Sequence, residues 1–169
     1  MLARKRTRLK EFDYSFPNYY FITICTNDKK PLFGFVNNGT MHLNDDGKII
    51  EQSWMAILDH FLNVEIDKFI IMPNHFHGIL IINGVVGLRF PQPDIKTKKF
   101  SLSQIIAYFK YESTKRINEC YKAIGNNIWQ RSFYDRIIRN EKELYNIRNY
   151  IQFNALKWNS DFGDENLEL

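Results

Sequence analysis

The segment "VEIDKFIIMPNHFHGILII" (residues 64–82) constrains this chain more than any other stretch. Its first half alternates into a strand, Pro73-Asn74 turns the chain, and "HFHGILII" runs back as the antiparallel neighbour. The returning run is made for burial, yet it carries His75 and His77 two residues apart. Side chains at i and i+2 of a strand share a face, with Cα atoms roughly 6.8 Å apart. The two imidazoles can therefore converge on one metal ion while Phe76 and Gly78 point the other way. A strand end that simply carries polar residues would show the same pattern. Two ligands also leave a site incomplete, because a working metal needs a third protein ligand and an open position. His42 and His60 lack such a companion, and packing accounts for them.

Around this hairpin the remaining elements fall into order. "YYFITIC" (residues 19–25) is aromatic and β-branched and reads as the first strand. "KKPLFGFVNNGTMHLN" predicts a small hairpin about Asn38-Gly39. Asn44 or Asp45 can cap a helix that runs to about Leu62, with Ile50, Trp54, Ile57, Leu58 and Phe61 at helical spacing. "NGVVGLRFPQPDIKTKKF" has no periodicity and reads as a long loop. Ser101 opens a second helix whose apolar positions Leu102, Ile105, Ile106, Phe109 and Ile117 face the sheet, and Gly125 stops it. "NIWQRSFYDRIIR" reads as a last strand. Asn140 and Glu143 form a capping-box pattern for a third helix, "EKELYNIRNYIQFNALKW". This order predicts an α+β, ferredoxin-like split βαβ domain: an antiparallel sheet with helices on one face and an extra C-terminal helix.

A length of 169 residues is that of one domain, with residues 1–18 as a basic arm and 159–169 as an acidic tail. Arg4, Lys5, Arg6, Arg8 and Lys10 crowd the start, a common way to grip phosphates, although a solvated terminus has the same composition. The net charge of +4 agrees with a polyanionic partner without requiring one. Cys25 and Cys120 have no metal spacing and are too few for a disulfide framework, which fits a reducing, cytoplasmic setting. No apolar run reaches the ~20 residues of a membrane span, so a soluble protein is expected.

The third metal ligand should come from another element, and the C-terminal helix offers one. Leu144, Ile147, Ile151, Ala155 and Trp158 form its apolar stripe, and Tyr150 and Asn154, spaced i and i+4, stack on a neighbouring, more polar stripe. An Asn carbonyl oxygen can complete a two-His site and would leave Tyr150 close to the metal. With nine tyrosines in the chain, spacing alone does not single out Tyr150.

Taken together, "YYFITICTNDKKPLFG", "IIMPNHFHGILII" and "IWQRSFYDRIIRNEKELYNIRNYIQFN" resemble the REP-associated tyrosine transposases and the wider family of single-tyrosine HUH transposases (His, a hydrophobic residue, His). The likeness runs from about Arg6 to Trp158. It implies a ferredoxin-like domain that cleaves and rejoins single-stranded DNA, often beside a hairpin. By position, His75 and His77 match the HUH pair, Tyr150 the nucleophile that opens a Tyr-Ile-x-x-(Asn/Gln) segment, and Asn154 the polar residue that helps hold the metal. Related sequences commonly place Pro after this Asn. Here Ala155 follows, which predicts that the helix continues through Asn154.

The chemistry so implied is coherent. A phenol with a pKa of about 10 is a weak nucleophile at neutral pH until activated. A divalent ion, Mg²⁺ or Mn²⁺, held by His75, His77 and Asn154 would polarise the scissile phosphate. Tyr150 would become linked to the 5′-phosphate and release a 3′-hydroxyl, and the phosphotyrosine would keep the bond energy for rejoining. The expected partner is single-stranded or hairpin DNA, which places the protein at the nucleoid. A homodimer is a further expectation, since family members use the tyrosine of their own or of a partner chain. DNA contacts are expected from the basic arm, from Lys96, Lys98 and Lys99, and from Arg131, Arg136 and Arg139, with Phe90 and Tyr134 stacking on bases. Two other readings share these residues: a metal-dependent phosphodiesterase that uses water, and a non-catalytic module that binds single strands. A structural Zn²⁺ site would want Cys ligands that the sequence does not supply.

Overall fold

The computed structural model describes residues 13–84, 100–123 and 125–158. Six strands and four α-helices follow one another: β1 (Asn18–Cys25), β2 (Gly34–Asn37), β3 (Thr40–Leu43), α1 (Asp45–Met55), α2 (Ile57–His60), β4 (Val64–Ile71), β5 (His75–Ile82), α3 (Leu102–Cys120), β6 (Tyr134–Ile138) and α4 (Glu141–Gln152). The main sheet has the order β4-β5-β1-β6, and all its pairings are antiparallel. β2 and β3 form the expected hairpin, whose turn residues Asn38 and Gly39 both have positive φ (49° and 72°). Such a turn follows the twist of the strands it joins.

β5 is interior and buried along nearly all its length, which explains its apolar composition. Its register with β1 opposes Thr23 to His77 and Cys25 to His75. Alternation then divides the side chains. Phe76 and Leu80 join Tyr20, Ile22 and Ile24 of β1 in a core closed by Ile50 and Trp54 of α1 and by Ile105, Ile106 and Phe109 of α3. Gly78 lies on that face as well, and a Cβ there would come within 2.8 Å of the Phe76 ring.

The opposite face packs separately. Phe21, Ile79 and Ile138 of the sheet bury Leu144, Ile147 and Ile151 of α4. The expectation of helices on one face therefore holds for α1 and α3, while α4 covers the other face. Both sides of β1 and β5 are apolar, and each side needs a cover.

Three expectations are corrected by tertiary packing. The helix from Asp45 breaks at Ala56 and ends at His60 instead of Leu62. The last strand is only five residues long, because Trp129 turns inward to donate its indole N–H to Ser113 (2.9 Å) and pairs with Thr26 in one isolated bridge. α4 ends at Gln152 and does not run through Ala155; a 3-10 turn, Ala155–Lys157, follows. Leu156 in that turn lies against Gly39 of the β2–β3 hairpin, a tertiary contact that outweighs the small helix preference of Ala155.

One irregularity interrupts the main sheet. Ile66 opposes Leu80, but the next pair is Phe69 with Gly78, so β4 carries one extra residue in a β-bulge at Asp67-Lys68.

Candidate active site

His75, His77 and Tyr150 meet on the face covered by α4. Both histidines are 1% exposed, and their ring centroids are 4.6 Å apart. Each ring is held from its Nδ1 side. The Nδ1 of His75 donates to Oδ1 of Asn74 at 2.7 Å, and that of His77 lies 2.8 Å from the Thr23 hydroxyl. Because an amide oxygen can only accept, Nδ1 of His75 carries a proton, which in the neutral imidazole leaves the lone pair on Nε2. Asn74 is fixed in turn, its carbonyl accepting from the backbone N–H (2.9 Å) and hydroxyl (2.9 Å) of Thr26.

His77 stacks on Phe21 at 5.4 Å and 22°, and Tyr150 meets the edge of the same ring at 6.0 Å. The Tyr150 hydroxyl lies 3.3 Å from Nε2 of His77. Burial, and then the neighbouring His75, hold the His77 pKa well below 6.5, so its imidazole is neutral at neutral pH. A neutral imidazole with Nδ1 engaged is what a metal ion requires of a histidine ligand, through an Nε2 that in His77 meets the Tyr150 oxygen.

Asn154 is 5% exposed and keeps right-handed helical geometry (φ −61°, ψ −44°) although α4 has ended, so it stays about one turn beyond Tyr150. Among the described residues no group of three or more His, Cys, Asp and Glu side chains is placed to hold a metal. The two imidazoles are the donors brought together on this face, and nitrogen ligands of this kind suit a borderline divalent ion that keeps water or substrate ligands.

The expected DNA contacts divide. Arg131, Arg136 and Arg139 are exposed near the β6 edge. Arg136, however, is engaged in the fold, with Nε 2.7 Å from Glu143 of α4. Arg4, Lys5, Arg6, Arg8, Phe90, Lys96, Lys98 and Lys99 lie outside the described residues. Tyr134, 52% exposed, stands beside Thr23 on the histidine face.

Thr23, Asn74 and Phe21 escape a reading of the sequence, because their roles depend on cross-strand register. Lys157 does too: its ammonium lies 5.9 Å from the centre of the Tyr150 ring. The one local signal was a polar Thr inside the apolar "ITIC".

No family model matches the chain. It is 39% identical over 166 residues to an uncharacterised protein of Haemophilus influenzae, covering 94% of this chain and 91% of that protein. A second protein of Haemophilus influenzae, provisionally named a REP-associated tyrosine transposase, is 25% identical over 153 residues, covering 86% and 74%. Among solved structures, a REP-associated tyrosine transposase bound to a REP hairpin superposes with a TM-score of 0.61 at 19% identity, over 91% of this chain and 74% of that one. The chain is thus similar in sequence and in fold to REP-associated tyrosine transposases. A protein of Deinococcus radiodurans, provisionally named a transposase, shares the fold at a TM-score of 0.51 and 14% identity, over 89% and 96%. Like the proteins it resembles in fold, this chain sets an antiparallel sheet against helices. None of its helices among the described residues is long and apolar enough to cross a membrane.

Proposed function

We propose that this chain is a metal-dependent single-stranded DNA endonuclease and strand transferase, acting at or near DNA hairpins through a covalent 5′-phosphotyrosine on Tyr150. The element order β1-α1-β4-β5-α3-β6 and the sheet order β4-β5-β1-β6 fit a ferredoxin-like split βαβ domain with α4 added. The single observation that carries the reading is the position of the Tyr150 hydroxyl, 3.3 Å from Nε2 of a buried His-x-His pair.

His75, His77 and Asn154 would hold a Mg²⁺ or Mn²⁺ ion, whose part when bound is to draw charge from the scissile phosphate and orient it. The protein's own residues do the rest. The contact with His77 Nε2 sets the phenol oxygen beside the pair, and Phe21 packs against both rings. The lone pair of that nitrogen would go to a bound ion in place of the phenol. Attack by that oxygen breaks the phosphodiester and leaves a free DNA 3′-hydroxyl. The Tyr150–phosphate bond replaces the one broken, so a second 3′-hydroxyl can reverse the step without ATP. The Lys157 charge over the tyrosine ring has the sign that favours a developing phenolate. In this reading Tyr150 acts with the histidines of its own chain, which the 3.3 Å contact within one chain supports. Tyr134, exposed on the histidine face, would meet unpaired DNA there, and the exposed Arg131 and Arg139 are candidate phosphate contacts.

A denaturing gel of the protein with labelled single-stranded and hairpin oligonucleotides, with and without Mg²⁺ or Mn²⁺, tests the reading. Wild type should give a metal-dependent protein–DNA adduct that Tyr150→Phe and His77→Ala do not form. Cleavage that persists in Tyr150→Phe without an adduct would indicate a hydrolase using water. Binding without cleavage would indicate a binding module.

A further inference from the structure

The apolar stripe of α4 selects a face of the sheet but does not fix how far the helix turns or slides there, because contacts such as Ile147 on Ile79 are non-directional. On the β4 side the directional contacts come from two consecutive residues. In a regular strand Asp67 and Lys68 would point to opposite faces. The extra residue between Ile66 and Phe69 lets both reach α4. Arg148 Nε donates to Asp67 Oδ1 (3.2 Å) and Oδ2 (2.9 Å), and Nη2 donates to Oδ2 (2.6 Å). Lys68 Nζ donates to Gln152 Oε1 at 2.6 Å. Arg148 and Gln152 stand two residues before and two after Tyr150.

We propose that the bulge-borne Asp67–Arg148 pair, assisted by Lys68–Gln152, is a positioning device that sets the rotation and axial placement of α4 so that the Tyr150 hydroxyl rests against His77. Its effect on rate rests on Tyr150 being the nucleophile; its effect on geometry does not. A planar two-pronged contact fixes orientation as well as distance, which a lysine in place of Arg148 would do less well. The Asp67 carboxylate is 14% exposed and the Arg148 side chain 42%, so one partner is anchored in the sheet and the other rides on the helix surface. At its other end α4 is held from β6, where Glu143 accepts from Arg136 Nε (2.7 Å) and from the backbone N–H of Arg139 (2.8 Å). The helix is thus tied at both sheet edges, and the tie nearer Tyr150 is the one from β4.

Two readouts on the full-length protein test this. The first is the ¹⁵N shift of His77 Nε2 by NMR, with Tyr150→Phe marking the signal when the phenol contact is gone. Asp67→Asn and Arg148→Met should move the signal toward that mark, and Arg148→Lys should fall between. The second is single-turnover adduct formation, which should slow on the order of tenfold to a hundredfold in the first two variants, with affinity for single-stranded DNA held within about twofold. A loss of fold alone would lower affinity and rate together. Lys68→Ala, at a half-buried site, supplies a milder variant should the others not fold, and should shift the same signal by less. An unchanged His77 signal in folded Asp67→Asn and Arg148→Met would overturn the proposal. A shifted signal with no adduct even from wild type would leave the positioning intact and remove the nuclease reading.

Discussion

Tyr150 and His77, 73 residues apart in sequence, are joined by a 3.3 Å contact between phenol oxygen and Nε2 and by an edge contact of their rings at 5.2 Å. One partner comes from α4 and the other from β5, on the sheet face away from α1 and α3. Thr23 holds the His77 ring from behind, Asn74 does the same for the neighbouring His75, and Phe21 packs beside both His77 and Tyr150.

Thr23→Val keeps the shape of the side chain and removes its hydrogen bond to His77 Nδ1. Loss of such an outer partner typically weakens metal binding about 10–100-fold. Trp158, with its ring 6.0 Å from His75, offers a fluorescence reporter for a Mn²⁺ titration, and Trp158→Phe serves as its control. Equal affinities in wild type and Thr23→Val would mean that the threonine does not orient the ring.

Gly78→Ala tests why "HFHG" ends in glycine. The new methyl would lie 2.8 Å from the Phe76 ring and 3.0 Å from Trp54, on the face opposite the histidines. Overpacking of this kind costs about 1–3 kcal/mol. Urea unfolding should show that loss, while adduct formation well below the unfolding transition stays close to wild type. A large fall in rate without a fall in stability would place Gly78 in the site instead of the core.

Tyr20 predicts how the fold responds to alkali. Its hydroxyl donates to the Phe16 carbonyl at 2.8 Å, and burial first, then Asp13, Tyr14 and Asp135, push its pKa up to about 12. In the unfolded chain the phenol ionises near 10. Between these values the unfolded state binds fewer protons than the folded one, so stability falls as pH rises. The contribution is complete below pH 10 and disappears as pH passes about 12. Tyr20→Phe should therefore show a shallower loss of stability across that window, measured by denaturant unfolding at stepped pH. Parallel curves would refute the assignment.

The parts of this molecule legible in its sequence are those set by local chemistry. Asn38-Gly39 marked the β2–β3 turn, and Ser101 does cap α3 in a reciprocal box with Gln104. Asn140 caps α4 through the N–H of Glu143 (2.9 Å). Alternation in "HFHGILII" put His75 and His77 on one face. What local chemistry does not encode is which partner each face meets. The stripe of Leu144, Ile147 and Ile151 fits either side of a sheet, and only the second apolar face formed by Phe21, Ile79 and Ile138 decides the matter. The end of α4 at Gln152 depends on where Leu156 meets Gly39, and the bulge at Asp67-Lys68 on a register visible only once β5 is in place. Resemblance to a family selected Tyr150 among nine tyrosines, and the geometry then set its hydroxyl beside His77.

The central claim is that Tyr150 itself becomes bonded to DNA. The most direct measurement is mass spectrometry of the protein–DNA adduct after digestion with nuclease and protease. The account predicts a phosphonucleotide mass on the tyrosine of the peptide that contains residues 149–152, dependent on Mg²⁺ or Mn²⁺ and missing from Tyr150→Phe. The same mass on another tyrosine, such as Tyr134 or Tyr145, or an adduct that forms undiminished in Tyr150→Phe, would contradict it.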